Sequence, residues 1–215
     1  MSQRPSSLMQ TVLGDAWHQL APALQAHYQS GASVDLGHLQ IDYPRWMQPM
    51  LSVLRFMGVL MHRRARHAAT PVEKTDDGIR QRWQRTVRYP DGPTLRFNSY
   101  WVVTPQRHII EFVNPALGLE MVPWVEGARL RYRGVRYVLQ LGAWRIGVPE
   151  WLVLGHTTIE EVGLDATHFA MDFRLTHPWF GQVFRYAGTF EADAGSTQPT
   201  NCVLGLSQIG SSSRG

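Results

Sequence analysis

The sequence predicts an α+β domain: N-terminal helices packed on a large, strongly curved antiparallel β-sheet, as an open barrel or helix-grip-like fold. Three observations lead there. Helical spacing of apolar residues is confined to the chain before about Thr70. From there to Phe190 alternating apolar segments follow one another, with turn residues recurring at roughly 8–12-residue intervals. Between those segments no stretch has the length or periodicity of a crossover helix, which parallel strands would need.

The elements follow in order. Ser7 is an N-cap, and Leu8, Val12, Leu13, Leu20, Leu24 and Tyr28 form a first helix that Pro22 bends or splits. Ala32–Ile41 alternates, with Val34, Leu36 and Leu39 marking a short strand. Pro44 opens a second helix carrying Met47, Met50, Leu51, Leu54, Met57 and Met61 at spacings of three and four. The cationic run from His62 to His67 ends it, where the helix dipole favours positive charge. Turns at Asp76-Asp77-Gly78, Pro90-Asp91-Gly92-Pro93, Thr104-Pro105-Gln106 and Asn114-Pro115 then separate strands, and Ala128–Tyr132 and Val135–Leu141 read as two more.

The pattern is clearest at the end, where Phe169/Met171/Phe173/Leu175 and Phe184/Tyr186/Gly188/Phe190 each share one face of a strand. The His177–Gly181 turn joins the two as a hairpin. Trp83, Phe97 and Trp101 alternate in the same way, so all these aromatics are assigned to the inner face. Roughly eight to ten strands curl toward closure, and a curled, capped sheet leaves room for an interior cavity. Residues 1–194 therefore read as one domain and 195–215 as a flexible Gly/Ser-rich tail.

Composition narrows the classes of function. The chain has 215 residues, 44% of them hydrophobic, with 8 Trp, 8 Phe and 7 Tyr to fill a core or line a cavity. Cys202 is the one cysteine, so no intrachain disulfide can form, as in a reducing compartment. The N-terminus lacks a signal-peptide pattern, and the most apolar window, Met50–Met61, contains Arg55 and is too short to span a bilayer. A cytoplasmic protein with no stable membrane insertion is expected. The net charge of +4 rests on arginine, Lys74 being the lone lysine. Arg80, Arg82 and Arg88, and likewise Arg129, Arg131 and Arg133, share strand faces that read as solvated outer walls rather than a nucleic-acid surface.

Catalytic motifs are missing. The chain has no His-Glu-x-x-His, no Gly-x-Ser-x-Gly elbow and no Gly-rich dinucleotide fingerprint, so neither metal nor cofactor is expected. His168 and Asp172 share a strand face about 13 Å apart, too far to act together. Glu160 and Glu161 point to opposite faces, so at most one is inward; it would need Arg131, Arg133 or Arg174 as partner. His177, at the turn between aromatic strands, reads either as a turn residue whose imidazole bonds a neighbouring backbone carbonyl or, if the turn closes one end of the cavity, as a ligand-orienting group at its rim, where Trp179 and Phe180 can cover the opening.

Several stretches resemble a bacterial family, the domain of unknown function 4166. They are Phe112-Val113-Asn114-Pro115, the turn Gly147-Val148-Pro149-Glu150-Trp151-Leu152, the strand Ile159-Glu160-Glu161 and the hairpin His177-Pro178-Trp179-Phe180-Gly181 running into Arg185-Tyr186-Ala187-Gly188. The likeness spans most of residues 7–192. It implies no established chemistry. Similar domains occur fused to NAD(P)-binding oxidoreductase-like domains, which implies an accessory role beside such a partner.

The reading that best joins these features is a non-catalytic binding domain for an apolar, lipid-like or polyketide-like small molecule. Its ligand-binding residues are His177, Trp179, Phe180, Tyr186, Phe173, Trp101 and Met57. Two alternatives stand beside it: an accessory domain with a filled core that partners an NAD(P)-dependent oxidoreductase, and an enzyme using an inward His and carboxylate.

Overall fold

The computed structural model describes residues 6–56 and 61–192. Ser7 caps α1 (Leu8–Leu13) through a reciprocal capping box with Gln10. Pro22 stands in the first turn of α2 (Pro22–Tyr28), so it splits the first helical stretch, with a 3-10 turn over Gly14–Gln19 between the pieces. A third helix, α3 (Gln48–Phe56), follows a 3-10 turn at Arg45–Met47.

Twelve strands make up the rest: β1 Gly31–Asp42, β2 Ala65–Ala69, β3 Val72–Asp76, β4 Gln81–Arg88, β5 Thr94–Val103, β6 Ile109–Asn114, β7 Leu117–Glu126, β8 Arg129–Leu141, β9 Trp144–Pro149, β10 His156–Gly163, β11 His168–His177 and β12 Gly181–Glu191. All pairings are antiparallel. Between β1 and β4, β2 and β3 take one position in turn.

The sheet closes on itself. β8 pairs with β10 from Leu130↔Glu161 to Arg133↔Thr158, giving a barrel of 10 strand positions rather than the open one the sequence suggested. Closure removes two sheet edges. Beyond Arg133 a bulge releases β8 from β10, and its second half pairs with β9 instead. Gly134 makes that change possible: a Cβ there would collide with the Glu150 carboxylate, which is buried in the gap and accepts the Thr157 N–H.

The inner wall is apolar and aromatic. Trp83, Trp101, Phe169, Phe173, Tyr186 and Phe190 are all buried and Phe97 is half-buried against the interior, as alternation requires. The outer wall carries Arg129, Arg131, Glu160, Asp172, Arg174 and Arg185 in ion pairs. This is the reverse of a barrel that faces lipid. No helix among the described residues is long and apolar enough to cross a membrane.

The two ends differ. α1, the first 3-10 turn and α2 plug one end, where α1 meets β5 and β7 and α2 meets β10 and β11. Leu8, Met9, Trp17, Leu24 and Tyr28 are buried there. The other end carries α3, the β11–β12 turn and the 3-10 turn Glu150–Leu152.

Several expectations change. The helix expected from Pro44 onward is short and lies at this second end, not on a concave sheet face. A closed barrel leaves no such face, and Met47, Leu51 and Met61 are buried while Met50 and Val53 are exposed. Met57 lies outside the described residues. Val34 and Leu36 point outward, and Ser33 and Asp35 are buried in their place, along with Leu39 and Ile41 further along β1. Ala128–Tyr132 and Val135–Leu141 are one bulged strand, not two.

Candidate functional site

Two small cavities lie inside the barrel, and Glu111 and Tyr186 border both. The first, about 60 Å³, is apolar and lies toward α3, among Met61, Phe97, Leu119, Leu154, Phe173 and Leu175. The second, about 40 Å³, lies toward the plug, among His27, Tyr28, Trp83, Arg85, Trp101 and Glu161. Tyr186 stacks on Phe173 with centroids 4.5 Å apart and planes 10° off parallel, and stands at their junction.

Polar groups converge on the second lobe. Glu161, only 3% exposed, takes the Tyr28 hydroxyl at 2.9 and 2.8 Å on its two oxygens, and the Tyr132 hydroxyl donates to Tyr28 at 2.7 Å. Burial pushes the Glu161 carboxyl above its ordinary range, since the charged form loses hydration. Burial likewise lifts the Tyr28 and Tyr132 phenols well above theirs. Across the lobe Glu111 accepts Ser99 Oγ at 2.6 Å and Arg85 at 3.3 Å. The Arg85 guanidinium in turn lies 5.5 Å from the Trp83 ring centroid and 5.4 Å from that of Phe97.

His27 stacks on Trp83 at 5.0 Å, and its Nδ1 lies 2.5 Å from Asp35 Oδ2. Lys74, 1% exposed, donates to the Gln29 carbonyl beside this pair; burial drives its ammonium down to about 8, against the opposing pull of Asp35 and Asp76. Two donors stay unmatched: the indole N–H groups of Trp83 and Trp101 are buried without an acceptor among the described residues. A buried donor left unpaired costs about 1–3 kcal/mol, which an acceptor placed in the lobe would recover.

Of the residues expected to bind ligand, Phe173, Tyr186 and Trp101 line the interior. His177 does not border either lobe. It is buried under the β11–β12 turn, accepts the Trp179 N–H at 3.3 Å and lies against the Trp179 and Phe180 rings. Trp179 and Phe180 themselves face outward. His168 bonds Asp165, and Asp172 is on the outer wall. Glu161 is the inward member of its pair, but the three arginines proposed for it belong to the outer wall, and the Tyr28 hydroxyl meets it instead.

Sequence reasoning passed over His27, Asp35, Arg85 and Glu111. A signal was there: Arg85 has the strand parity of Trp83 and Val87, and Glu111 that of Ile109 and Val113.

A wide concavity, about 740 Å³, lies on the outer wall across β1, β10, β11 and β12. Three of its four guanidinium groups, those of Arg131, Arg174 and Arg185, are already in ion pairs, and Arg66 is the fourth. Burial would raise the Asp172 carboxyl, yet Arg185 and Arg174 hold it at about 2, and Arg131 holds Glu160 and Glu126. The interior, with its unmatched donors and raised carboxyl, is the better site.

Fold and site together define a closed antiparallel β-barrel with a helical plug and a polar, aromatic-lined interior. The chain belongs to the family of the domain of unknown function DUF4166, whose model matches residues 20–190. No curated protein and no solved structure matches it.

Proposed function

We propose that this barrel is a non-catalytic binding module for a small, largely apolar molecule with one polar end. The two unmatched indole donors in a lobe that also holds Glu161 and Arg85 carry the reading. The polar end would sit there, and the apolar body would fill the lobe beside Phe173 and Leu175. Drug-sized ligands occupy about 300–1,000 Å³. The lobes enclose about 60 and 40 Å³, less than the ~150 Å³ of a cavity that holds benzene. A ligand must therefore move Tyr186 or Phe173 and merge the lobes, and a compact ring system suits the merged space better than an acyl chain.

Titration with single-ring and fused-ring carboxylic acids, followed by tryptophan fluorescence, tests this. Saturable quenching that Trp101→Phe weakens supports it; no response to any ring acid, or a response that variant leaves alone, counts against it.

One observation favours a second reading, proton-transfer catalysis in the same lobe. Glu161 is a carboxyl whose raised pKa suits a general acid or base, and His27 is held by Asp35 beside it. Glu161→Gln abolishing turnover of a bound compound, with its binding retained, would select this reading.

A further inference from the structure

The end of the barrel opposite the plug exposes aromatic residues from three separate elements. Trp46, Met50 and Val53 follow one another at spacings of four and three, a single helical stripe, and all three are exposed. Phe180, in the β11–β12 turn, meets Trp46 with centroids 5.4 Å apart, and Trp179 beside it meets Trp151 at 6.4 Å. Trp179 is 73% exposed, Phe180 61% and Trp46 53%. Aromatic side chains of this size are normally buried, and a contiguous exposed group of them marks an interaction surface.

Charge decides the partner. Arg45, Arg55, Arg63 and Arg64 lie in or beside α3 and are all exposed; the acids near them are Asp42, 3.7 Å from Arg64, and Asp91, whose carbonyl Arg63 bonds, while Glu150 beside Trp151 is buried. A tryptophan-rich rim bordered by unbalanced arginines complements an anionic lipid surface: indoles settle at the headgroup level, and arginines meet phosphates. A second copy of the chain would bring like charges face to face.

We propose that the collar formed by Trp46, Met50, Val53, Trp151, Trp179 and Phe180 docks this end of the barrel onto anionic membrane surfaces. Docking is peripheral, with the charged outer wall left in water. It is independent of any ligand in the interior.

Sedimentation with sucrose-loaded vesicles tests it. Vesicles of phosphatidylcholine containing about a third phosphatidylglycerol should carry down the full chain at low salt. Phosphatidylcholine alone should not, and raised salt should release the protein as charge is screened. The double change Trp179→Ser with Phe180→Ser should weaken binding about tenfold or more, since each ring inserts on the order of 150 Å² of apolar surface. Trp124→Ser, near the plugged end, should leave binding unchanged. Quenching of wild-type tryptophan fluorescence by brominated phosphatidylglycerol gives a readout that needs no variant. The proposal is overturned by absence of both binding and quenching, or by binding that the double change does not alter. A self-association that the double change abolishes would also overturn it, giving the face to a second copy.

Discussion

Phe173→Ala probes the interior most sharply. The ring is 7% exposed, stacks on Tyr186 at 4.5 Å, meets Phe184 edge-on at 6.3 Å and borders the apolar lobe. Removing it forfeits burial of about 150 Å², worth about 4 kcal/mol at ~25 cal/mol per Å². The neighbours already border a void of about 60 Å³, so they cannot close over the space, and a cavity penalty adds to the loss. The expected cost is about 4–5 kcal/mol by urea denaturation. For a chain of this size that lowers Tm by about 8–20 °C. The enlarged lobe should then admit benzene, and benzene at saturation should restore part of the lost Tm in the variant more than in the wild type. A cost below about 1 kcal/mol, the range of surface positions, would refute the inward assignment. Full cost without benzene rescue would mean that the lobe collapses and is not a preformed site.

Two further changes read the buried charges. Glu161 has its carboxyl raised by burial, so its contribution to stability is present below the unfolded value of 4.5 and is lost as pH rises through the folded value. Glu161→Gln keeps an oxygen for Tyr28 and should therefore gain on the wild type as pH rises above 4.5; a constant difference between their stability–pH curves would contradict this. Lys74 is depressed from 10.5 to about 8, so its contribution is present above 10.5 and lost as pH falls through about 8. Relative to Lys74→Met, the wild type should gain about 3 kcal/mol between neutral pH and about 11, at about 1.36 kcal/mol for each tenfold difference in proton affinity between the folded and unfolded chain, measured by urea melts. An unchanging difference would show that the amine is solvated.

Much of the wall was legible because its signals are local. Asp76-Asp77-Gly78 and Pro90-Asp91-Gly92-Pro93 are turns by their own chemistry, and the Phe169–Leu175 alternation needs only the period of a strand. What escaped depends on distant partners. Ala65–Ala69 carries Arg66 and His67 and reads as a helix end, but pairing with β1 and β4 makes it a strand. The Trp144–Pro149 stretch holds Gly147 and Pro149 and reads as a turn, yet the bulge in β8 offers it an edge. Closure through β8 and β10 joins segments about 28 residues apart in register, from Leu130↔Glu161 to Arg133↔Thr158, and no local pattern announces it. The same holds within the site. His177 stands out in the sequence beside a proline, whereas His27 and Asp35 look ordinary until α2 folds over the barrel mouth and sets them 2.5 Å apart.

The central claim is that the barrel interior holds a small molecule. Native mass spectrometry of the chain purified from its own host without detergent tests this most directly. The account predicts a bound mass that leaves on collisional activation and that is depleted when Trp101→Phe and Glu161→Gln are combined. A spectrum of bare protein alone, together with no saturable uptake of any ring acid by wild type, would contradict it.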